Sequence, residues 1–302
     1  MAHSELAQRV AVVLLGVPVA AAAVYWGGWV LGVALAAVAA GGTFELYRLA
    51  GYRGIRPFVL PGALTAALLV LVAASRPDPV LAAPLLWTLL LVLLLAAAIA
   101  AIFTHGVEGH PLLAVSVTVA GALFTGGTLG YALYLRHLPL DPAVWPAADP
   151  EQAAWVGRAL VAYPVLLTWV NDSFAFFGGR RWGRRKLAPA VSPGKTVQGA
   201  LAGLVGTVLL GAVYAGLVFQ RWLGLPIGLV AGIGGAVVIS LFAQLGDLAE
   251  SLFKREAGVK DSGSIFPGHG GILDRFDALF FTIPTAYWYL VLALRAGGPS
   301  WL

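Results

Sequence analysis

Nine runs of apolar residues follow one another along this chain, and most of them are long enough to cross a lipid bilayer. A spanning helix needs about 20 predominantly apolar residues, because its backbone polar groups must be satisfied inside the hydrocarbon. The runs occupy residues 10–25, 29–47, 57–75, 80–104, 111–135, 155–177, 197–220, 226–246 and 276–294. Only 11% of the residues are charged, whereas a soluble domain carries about 25%. The sequence therefore predicts an all-α polytopic membrane protein with about nine transmembrane helices.

The basic residues indicate the orientation of these helices. Lys and Arg near the ends of spans are retained on the cytoplasmic side. With a cytoplasmic N-terminus, 14 of the 19 Lys and Arg residues fall inside. The five external ones are Arg76, Arg136, Arg158, Arg221 and Arg295. We therefore expect a protein of the cell's inner membrane with its C-terminus outside. We expect the first run to be a retained span, because no convincing small-residue cleavage site follows it.

Composition excludes several classes of function. Cysteine is absent, so disulfides, thiolate metal sites and cysteine nucleophiles are excluded. The formal net charge is +5, but the basic residues are scattered between apolar runs, so we expect no nucleic-acid partner. Anionic lipid and phosphate substrates fit this charge better. The Gly- and Ala-rich runs allow close helix contact in the bilayer and are compatible with a homodimer.

The residues that could carry chemistry are concentrated in the second half of the chain. We interpret residues 1–150 as a transmembrane scaffold and residues 151–302 as a catalytic region with cytoplasmic loops at 178–196 and 247–275. In the scaffold, Glu45 stands at the inner end of the second predicted helix. We expect it to be a snorkelling or ion-paired residue at the interface rather than a ligand.

The second loop has the composition of a phosphate and cation site. Asp247 is expected to close the eighth helix and Asp274 to open the ninth, so an antiparallel hairpin would bring both carboxylates to a similar depth. One or two carboxylates together with substrate phosphates are the usual ligands of Mg²⁺. Nearby cations that could neutralise phosphate charge are Lys254, Arg255, Lys260 and Arg275. The sequence predicts that phosphate groups of a substrate meet a metal ion here, with the active site facing the cytoplasm.

A glycine-rich turn and a buried acid extend this prediction. The run from Pro267 to Gly271 has little side-chain bulk, so the backbone N–H groups of Gly270 and Gly271 could approach a phosphate. We expect His269 to form a phosphate or backbone hydrogen bond rather than to act as a base, since a phosphate group is already anionic at neutral pH. Asp172 lies inside the sixth predicted helix. It belongs either to the site or to a structural ion pair.

Residues Ser251 to Asp277 resemble the signature of phosphatidate cytidylyltransferases, also called CDP-diacylglycerol synthases. The motif begins with Ser251, continues with Lys254-Arg255 and Lys260-Asp261, and ends with the turn His269-Gly270-Gly271 and the run Asp274-Arg275-x-Asp277. The resemblance implies transfer of a cytidylyl group from CTP to phosphatidic acid, giving CDP-diacylglycerol and pyrophosphate. It further implies Mg²⁺ bound by Asp247 and Asp274, and it allows a second cation, K⁺ or another Mg²⁺.

A second segment resembles the family's Ser-Pro-Lys-Lys-Thr-x-Glu-Gly element. In this chain it contains Ser192, Lys195 and Thr196, which by resemblance would bind phosphate at the start of the seventh helix. Gly194 stands in place of one Lys, and Gln198 stands in place of the Glu. One phosphate contact and one acid of the family's pattern are therefore missing.

Two other functions use the same residue types. A transporter could move an ion or an anionic solute past Asp172 and Asp247, because acids near helix ends often mark ion pathways. No pair of matching broken helices in the two halves supports this alternative. A membrane lipid kinase, or a transferase that passes CTP to another acceptor, would share the same physics and differ only in the acceptor.

Overall fold

The computed structural model describes residues 2–140, 150–265 and 270–296, and most of these residues are helical. In chain order the elements are α1 (Ala2–Trp26), α2 (Gly28–Gly51), α3 (Val59–Ser75), α4 (Pro79–Thr104), α5 (Pro111–Ala122) with a π-helical continuation (Leu123–Gly127), α6 (Tyr131–Arg136), α7 (Pro150–Trp182), β1 (Lys186–Ala188), β2 (Ser192–Thr196), α8 (Val197–Tyr214) with a π-helical continuation (Ala215–Trp222), α9 (Leu229–Glu256), α10 (Leu273–Phe276) and α11 (Leu279–Ala296).

Seven helical stretches among the described residues are long and apolar enough to cross a membrane. They are Gly28–Gly51, Pro79–Thr104, Pro111–Arg136, Pro150–Trp182, Val197–Trp222, Leu229–Glu256 and Leu273–Leu294. Two shorter apolar stretches are Leu14–Trp26 and Val59–Ser75. Leucines on these helices, such as Leu91 and Leu95 of α4, are exposed, as expected of side chains that face lipid tails. The prediction of a helical polytopic membrane protein is confirmed, whereas the count of nine spans stays a prediction.

The chain divides into two compact units, and each combines two separate parts of the sequence. The first unit contains residues 1–134 and 253–277, and the second contains residues 135–252 and 278–302. Most of the second cytoplasmic loop predicted from the sequence therefore packs with helices of the first half of the chain. This half consequently contributes more than a lipid-embedded scaffold to the surroundings of Asp274.

Tight packing around one tyrosine organises the first unit. Tyr47 of α2 is fully buried, and its hydroxyl donates a hydrogen bond to the Thr118 carbonyl oxygen of α5. A Cβ atom at Gly62 or Gly121 would clash with the tyrosine ring. Small residues at these two positions therefore let α3 and α5 close on α2, as is usual where helices associate without a hydrophobic driving force. The same helix carries Glu45 two residues earlier.

In the second unit, glycines bring α7 and α8 into backbone contact. Gly199 and Gly203 are four residues apart on α8, so they share one helix face. A Cβ atom at Gly199 would lie 2.7 Å from the Ala175 carbonyl oxygen, and one at Gly203 would lie 2.9 Å from the Asn171 side-chain oxygen. The close approach of these two helices sets the position of Asn171 and its neighbour Asp172.

A two-stranded antiparallel hairpin joins α7 to α8. Lys186 of β1 pairs with Thr196 of β2, and Ala188 pairs with Ser192. The predicted loop at 178–196 is therefore ordered: its first five residues extend α7 to Trp182, and the rest form the hairpin. Thr196 ends the hairpin and caps α8, because its side-chain oxygen accepts a hydrogen bond from the Gly199 N–H. Ser192 and Lys195 thus lie on a strand that precedes the helix, which corrects their predicted place at the helix start.

The helix predicted to end at Asp247 extends more than two turns further. Helix α9 continues past Asp247 to Glu256, so this acid lies inside the helix rather than at its end. Residues 248–256 have high helix propensity despite their charges, which explains why a prediction from hydropathy stopped too early. Asp274 lies where it was predicted, in the first turn of the short helix α10 that leads into α11.

Candidate active site

Two clusters of polar groups, one in each unit, contain six of the fourteen predicted site residues. The Asp247 cluster of the second unit consists of Asn171, Asp172, Lys195, Gln244 and Asp247. The Asp274 cluster of the first unit consists of Glu45, Lys254, Ser262, Gly271 and Asp274.

A cavity of about 420 Å³ lies beside the Asp247 cluster. Its walls come from α7, both strands of the hairpin, α8 and α9. Small-molecule sites usually occupy about 300–1,000 Å³, so the cavity is large enough for a ligand of that class. Of the residues predicted to bind substrate, Asp172, Lys195 and Thr196 line it, together with Asp247. Ser192, which the structure also describes, does not.

Lys195 and Asp247 form an ion pair at the wall of this cavity. The Lys195 Nζ lies 2.6 Å from the Asp247 Oδ2, and the two side chains are 24% and 36% exposed. The Ser251 hydroxyl is 3.5 Å from the other carboxylate oxygen, which is too long for a strong hydrogen bond. Asp247 therefore keeps lone pairs available on the cavity side, and Lys195 places a positive charge beside them.

An amide network fixes the carboxylate of Asp172. Asn171 is buried, and its Oδ1 accepts a hydrogen bond of 2.7 Å from the Ser240 hydroxyl of α9. Its Nδ2 donates to the Asp172 Oδ1 at 3.2 Å. Gln244 of α9 donates to the Ala200 carbonyl of α8 at 3.2 Å. The network therefore ties α7, α8 and α9 together beside the cavity, and Asp172 takes part in it as a hydrogen-bonded acid.

The two departures from the family's pattern have different structural consequences. The Gln198 Oε1 accepts hydrogen bonds from the backbone N–H groups of Arg184 and Arg185, at 3.0 and 3.2 Å. A glutamate oxygen could accept the same two bonds, so the amide preserves the hairpin without the negative charge. Gly194 lines the cavity, and a Cβ atom there would have no neighbour within 4 Å. The space that a lysine would occupy at this position is therefore open.

Four hydrogen-bond donors lie within 2.9 Å of the Asp274 carboxylate, and one of them, the Ser262 hydroxyl, alternates between Asp274 and Glu45 because it has a single proton. The Asp274 Oδ1 accepts from the Lys254 Nζ at 2.7 Å. Its Oδ2 accepts from the Ser262 and Gly271 N–H groups, both at 2.8 Å, and from the Ser262 hydroxyl at 2.9 Å. The side chains of the ion pair are only 13% and 6% exposed. A carboxylate has about four acceptor positions, and three of these bonds fall on Oδ2, so Oδ1 keeps one position for a further ligand.

The other predicted residues of the signature segment, Ser251 to Asp277, differ in exposure and in their contacts. The exposed side chains are those of Arg255, Lys260, Asp261 and Arg275. Gly270 adopts φ of +80°, which favours glycine, and a Cβ atom there would lie 2.6 Å from the Asp274 Oδ2. The Gly271 N–H, predicted to approach a phosphate, donates to Asp274. His269 lies outside the described residues. The phosphate-binding roles of these residues stay predictions.

Glu45 belongs to the Asp274 cluster, although sequence analysis placed it outside the site. It is 1% exposed, so the prediction of a snorkelling side chain at the interface is wrong. Its Oε2 accepts a hydrogen bond from the Ser262 hydroxyl and one from the Leu273 N–H, both at 2.9 Å. The one sequence signal that could have indicated this role is an acid inside an apolar helix, which needs a partner when buried.

The carboxylates suit a hard divalent cation that also binds substrate. Among the described residues, no group of three or more His, Asp or Glu side chains is placed to hold a metal ion. Mg²⁺ usually takes one or two protein carboxylates and completes its shell with water and substrate phosphates. Asp247, with free lone pairs beside a cavity, fits that requirement, and Asp274 offers one position on Oδ1.

The family model and the relatives that match this chain all point to cytidylyltransferases. The sequence model of the Cytidylyltransferase family matches residues 7–293. Phosphatidate cytidylyltransferase of Synechocystis is 32% identical over 306 residues, covering 95% of this chain and 97% of that protein. Phosphatidate cytidylyltransferase 4 of Arabidopsis thaliana, a chloroplastic protein, is 34% identical, covering 98% and 76%. The enzyme of that name in Bacillus subtilis is 44% identical over 136 residues, which is 45% of this chain and 49% of that protein.

Proposed function

The chain belongs to the cytidylyltransferase family, and from this membership we propose that it transfers the cytidylyl group of CTP to phosphatidate. The products are CDP-diacylglycerol, an intermediate of phospholipid synthesis, and pyrophosphate. The observation that carries the proposal is the similarity along nearly the whole chain to proteins named phosphatidate cytidylyltransferase. The cavity beside Lys195 and Asp247 supports it, because its volume and charges suit a phosphorylated ligand.

The reaction is a displacement at phosphorus. A phosphate oxygen of phosphatidate attacks the α-phosphorus of CTP and forms a new P–O bond. The bond between that phosphorus and the oxygen bridging to the β-phosphate breaks, and pyrophosphate leaves. Such transfers need positioning and charge neutralisation more than a covalent nucleophile. Lys195 would neutralise phosphate charge in the cavity, and Asn171 would hold Asp172 in a fixed orientation beside it.

We further propose Mg²⁺ as the cofactor, with Asp247 and Asp274 as its protein ligands. Bound Mg²⁺ would withdraw charge from the phosphate oxygens. A second cation, K⁺ or another Mg²⁺, remains part of this proposal. The signature motif and the available acceptor positions of the two carboxylates support it.

The test is a pyrophosphate-release assay on the purified protein in detergent with Mg²⁺ and labelled CTP. We expect release that depends on phosphatidic acid, together with a labelled product that partitions with lipid. Release without added acceptor, or transfer of label to a different acceptor, would contradict the proposal. A lipid kinase would give a phosphorylated lipid that carries no cytidine label.

For the membrane arrangement we propose nine spans, a cytoplasmic N-terminus, an external C-terminus and an active site that faces the cytoplasm. The distribution of Lys and Arg supports this arrangement. The two shorter apolar helices would then also cross the membrane, the first of them with help from residues that precede Leu14. A homodimer stays a prediction.

Because the chain contains no cysteine, single cysteines can report the orientation directly. Ser75→Cys, at the end of α3, should react with a membrane-impermeant maleimide in intact cells. Ala190→Cys, in the turn of the hairpin, should react only after the cells are permeabilised. Both residues are exposed, so accessibility to water does not distinguish them. Reaction of both, or of neither, in intact cells would contradict the proposed orientation.

Gly194→Lys should restore a phosphate contact. The position faces open space in the cavity, so the new side chain should fit without strain. A charge-assisted hydrogen bond of about 1.4 kcal/mol would lower the KM for CTP about tenfold. The measurement is the KM for CTP at fixed phosphatidate. Gly194→Met is the matched control, since it adds similar bulk without charge. An equal effect of both variants would show that charge is not the cause.

A further inference from the structure

We propose that Glu45, in the first half of the chain, is a positioning residue that holds the signature loop, of which residues 257–265 and 270–272 are described between α9 and α10, in the shape that presents Asp274. The expected effect of Glu45 on kcat rests on the proposed function. The contact itself rests on geometry within the first unit. Nothing in the signature motif, which begins about two hundred residues later in the sequence, assigns a role to this acid.

Glu45 contacts both ends of the loop. Its Oε2 accepts from the Ser262 hydroxyl, near the start of the segment between α9 and α10, and from the Leu273 N–H, the first residue of α10. Both distances are 2.9 Å. One carboxylate oxygen thus joins the two ends of this segment, which Asp274 also joins through Ser262 and Gly271. Arg48, three residues further along α2, donates to the Ser262 carbonyl oxygen and adds a second attachment to the same residue.

Ser262 couples Glu45 to Asp274. Its hydroxyl oxygen lies 2.9 Å from the Glu45 Oε2 and 2.9 Å from the Asp274 Oδ2. The hydroxyl has a single proton, so it can donate to only one of the two carboxylates at a time. Its backbone N–H donates to Asp274 as well. A change at Glu45 therefore alters the donors available to Asp274 without any direct contact between the two acids.

Two glycines of the loop lie against the Glu45 carboxylate. A Cβ atom at Gly263 or Gly271 would clash with the Glu45 carboxylate. The loop backbone therefore passes directly against the acid on both sides. Glu45 is 1% exposed, and its Oε1 accepts no hydrogen bond from any described residue. Burying a carboxylate costs free energy unless hydrogen bonds replace those it made to water. The bonds that Glu45 accepts come from the two ends of the loop. Its role is therefore to hold the loop rather than to stabilise the protein in general.

The test compares Glu45→Ala and Glu45→Gln with Thr43→Val. Thr43 lies on the same helix, is also fully buried, and loses a buried hydrogen bond to Thr125 when it is replaced by Val. Its hydrogen bonds join it to Ala39 and Thr125, neither of which belongs to the loop, so it controls for damage to the packing of α2 alone. We expect Glu45→Ala to lower kcat about a hundredfold with less than a threefold change in the KM for CTP. Glu45→Gln, whose amide oxygen can accept both bonds, should recover at least a tenth of the wild-type kcat.

Hydrogen–deuterium exchange gives a readout that does not depend on activity. In Glu45→Ala, amides of residues 262–265 and 270–274 should exchange at least tenfold faster than in the wild type, while amides of α4 stay unchanged. Thr43→Val should leave the loop's exchange unaltered. Unchanged loop exchange in Glu45→Ala, or equal changes in Thr43→Val, would overturn the inference even if the enzyme is active. A wild-type protein that turns over no CTP would refute the proposed function alone, because the exchange result is measured separately.

A double-mutant cycle separates positioning from a general loss of stability. Ser262→Ala should lower kcat in the same direction as Glu45→Ala, since both remove the hydroxyl bridge. The double variant should be little worse than the more damaged single variant, because residues that act through one shared bond are not additive. Effects on kcat that multiply would show that Glu45 and Ser262 act independently and would contradict the proposal.

Discussion

Asp247→Asn should lower kcat about a thousandfold or more while leaving the fold intact. The substitution removes the negative charge from the wall of the cavity and keeps the shape of the side chain. A thousandfold loss corresponds to about 4 kcal/mol of transition-state stabilisation, which is within the range that charge stabilisation by a bound metal supplies. The Lys195–Asp247 pair is partly exposed, so its loss should cost no more than about 1 kcal/mol of stability. The measurement is pyrophosphate release as a function of Mg²⁺ concentration.

Asp78→Asn is the matched control for this substitution. Asp78 caps α4 through a 2.8 Å hydrogen bond from the Val80 N–H, and Asn is an equally good capping residue. We expect its activity and Mg²⁺ dependence to equal those of the wild type. Wild-type kcat in Asp247→Asn and in Asp274→Asn would refute the metal-binding role of both acids.

Lys254→Met should lower the free energy of unfolding by about 3 kcal/mol or more. The ion pair that Lys254 forms with Asp274 is mostly shielded from solvent. Removing one partner of such a pair leaves a buried charge without compensation, which costs about 3–5 kcal/mol. The remaining hydrogen bonds to Asp274 place the expected loss at the lower end of that range. Thermal unfolding in detergent measures it.

Two further variants make this prediction specific. Lys195→Met breaks an ion pair of nearly the same length, 2.6 Å against 2.7 Å, but a more exposed one. It should therefore lose no more than about 1 kcal/mol of stability and act mainly on the KM for CTP. Lys254→Met combined with Asp274→Asn should recover part of the lost stability, because residue 274 then carries no charge that needs a partner. Equal destabilisation by the two lysine substitutions would show that burial does not set the energy of these pairs.

The helices could be predicted from the sequence because lipid imposes one simple requirement on every span. Apolar runs identified each long helix, yet they misplaced ends that carry charge. Helix α9 extends to Glu256 and α7 to Trp182, past the points where hydropathy falls. Hydropathy records where lipid contact ends, whereas the helix ends where backbone hydrogen bonding or propensity fails. The hairpin was missed because Pro193 and Gly194 disfavour a strand by propensity.

The residues of the site were easier to predict than their partners. Motif spacing identified Asp247, Lys195, Lys254 and Asp274, but spacing does not reveal which cation pairs with which acid. Lys195 and Asp247 are far apart in the sequence, and Glu45 and Leu273 are separated by 228 positions. Such contacts depend on how helices pack, and packing depends on small residues such as Gly203 whose role is visible only once a neighbour is in place. A single acid in an apolar helix therefore gave no indication of its distant partners.

The Gln198 side chain has an electrostatic consequence for how a polyanion reaches the cavity. Relative to the family's pattern, this chain lacks one positive charge at residue 194 and one negative charge at residue 198, so the sum over the element is unchanged. The long-range attraction for a nucleotide should therefore persist, because at a distance only the summed charge matters. The short-range attraction between the bound nucleotide and the cavity is weaker, since residue 194 in the cavity wall carries no ammonium group. The expected outcome is a CTP association rate that falls with rising ionic strength, combined with a dissociation rate faster than that of Gly194→Lys.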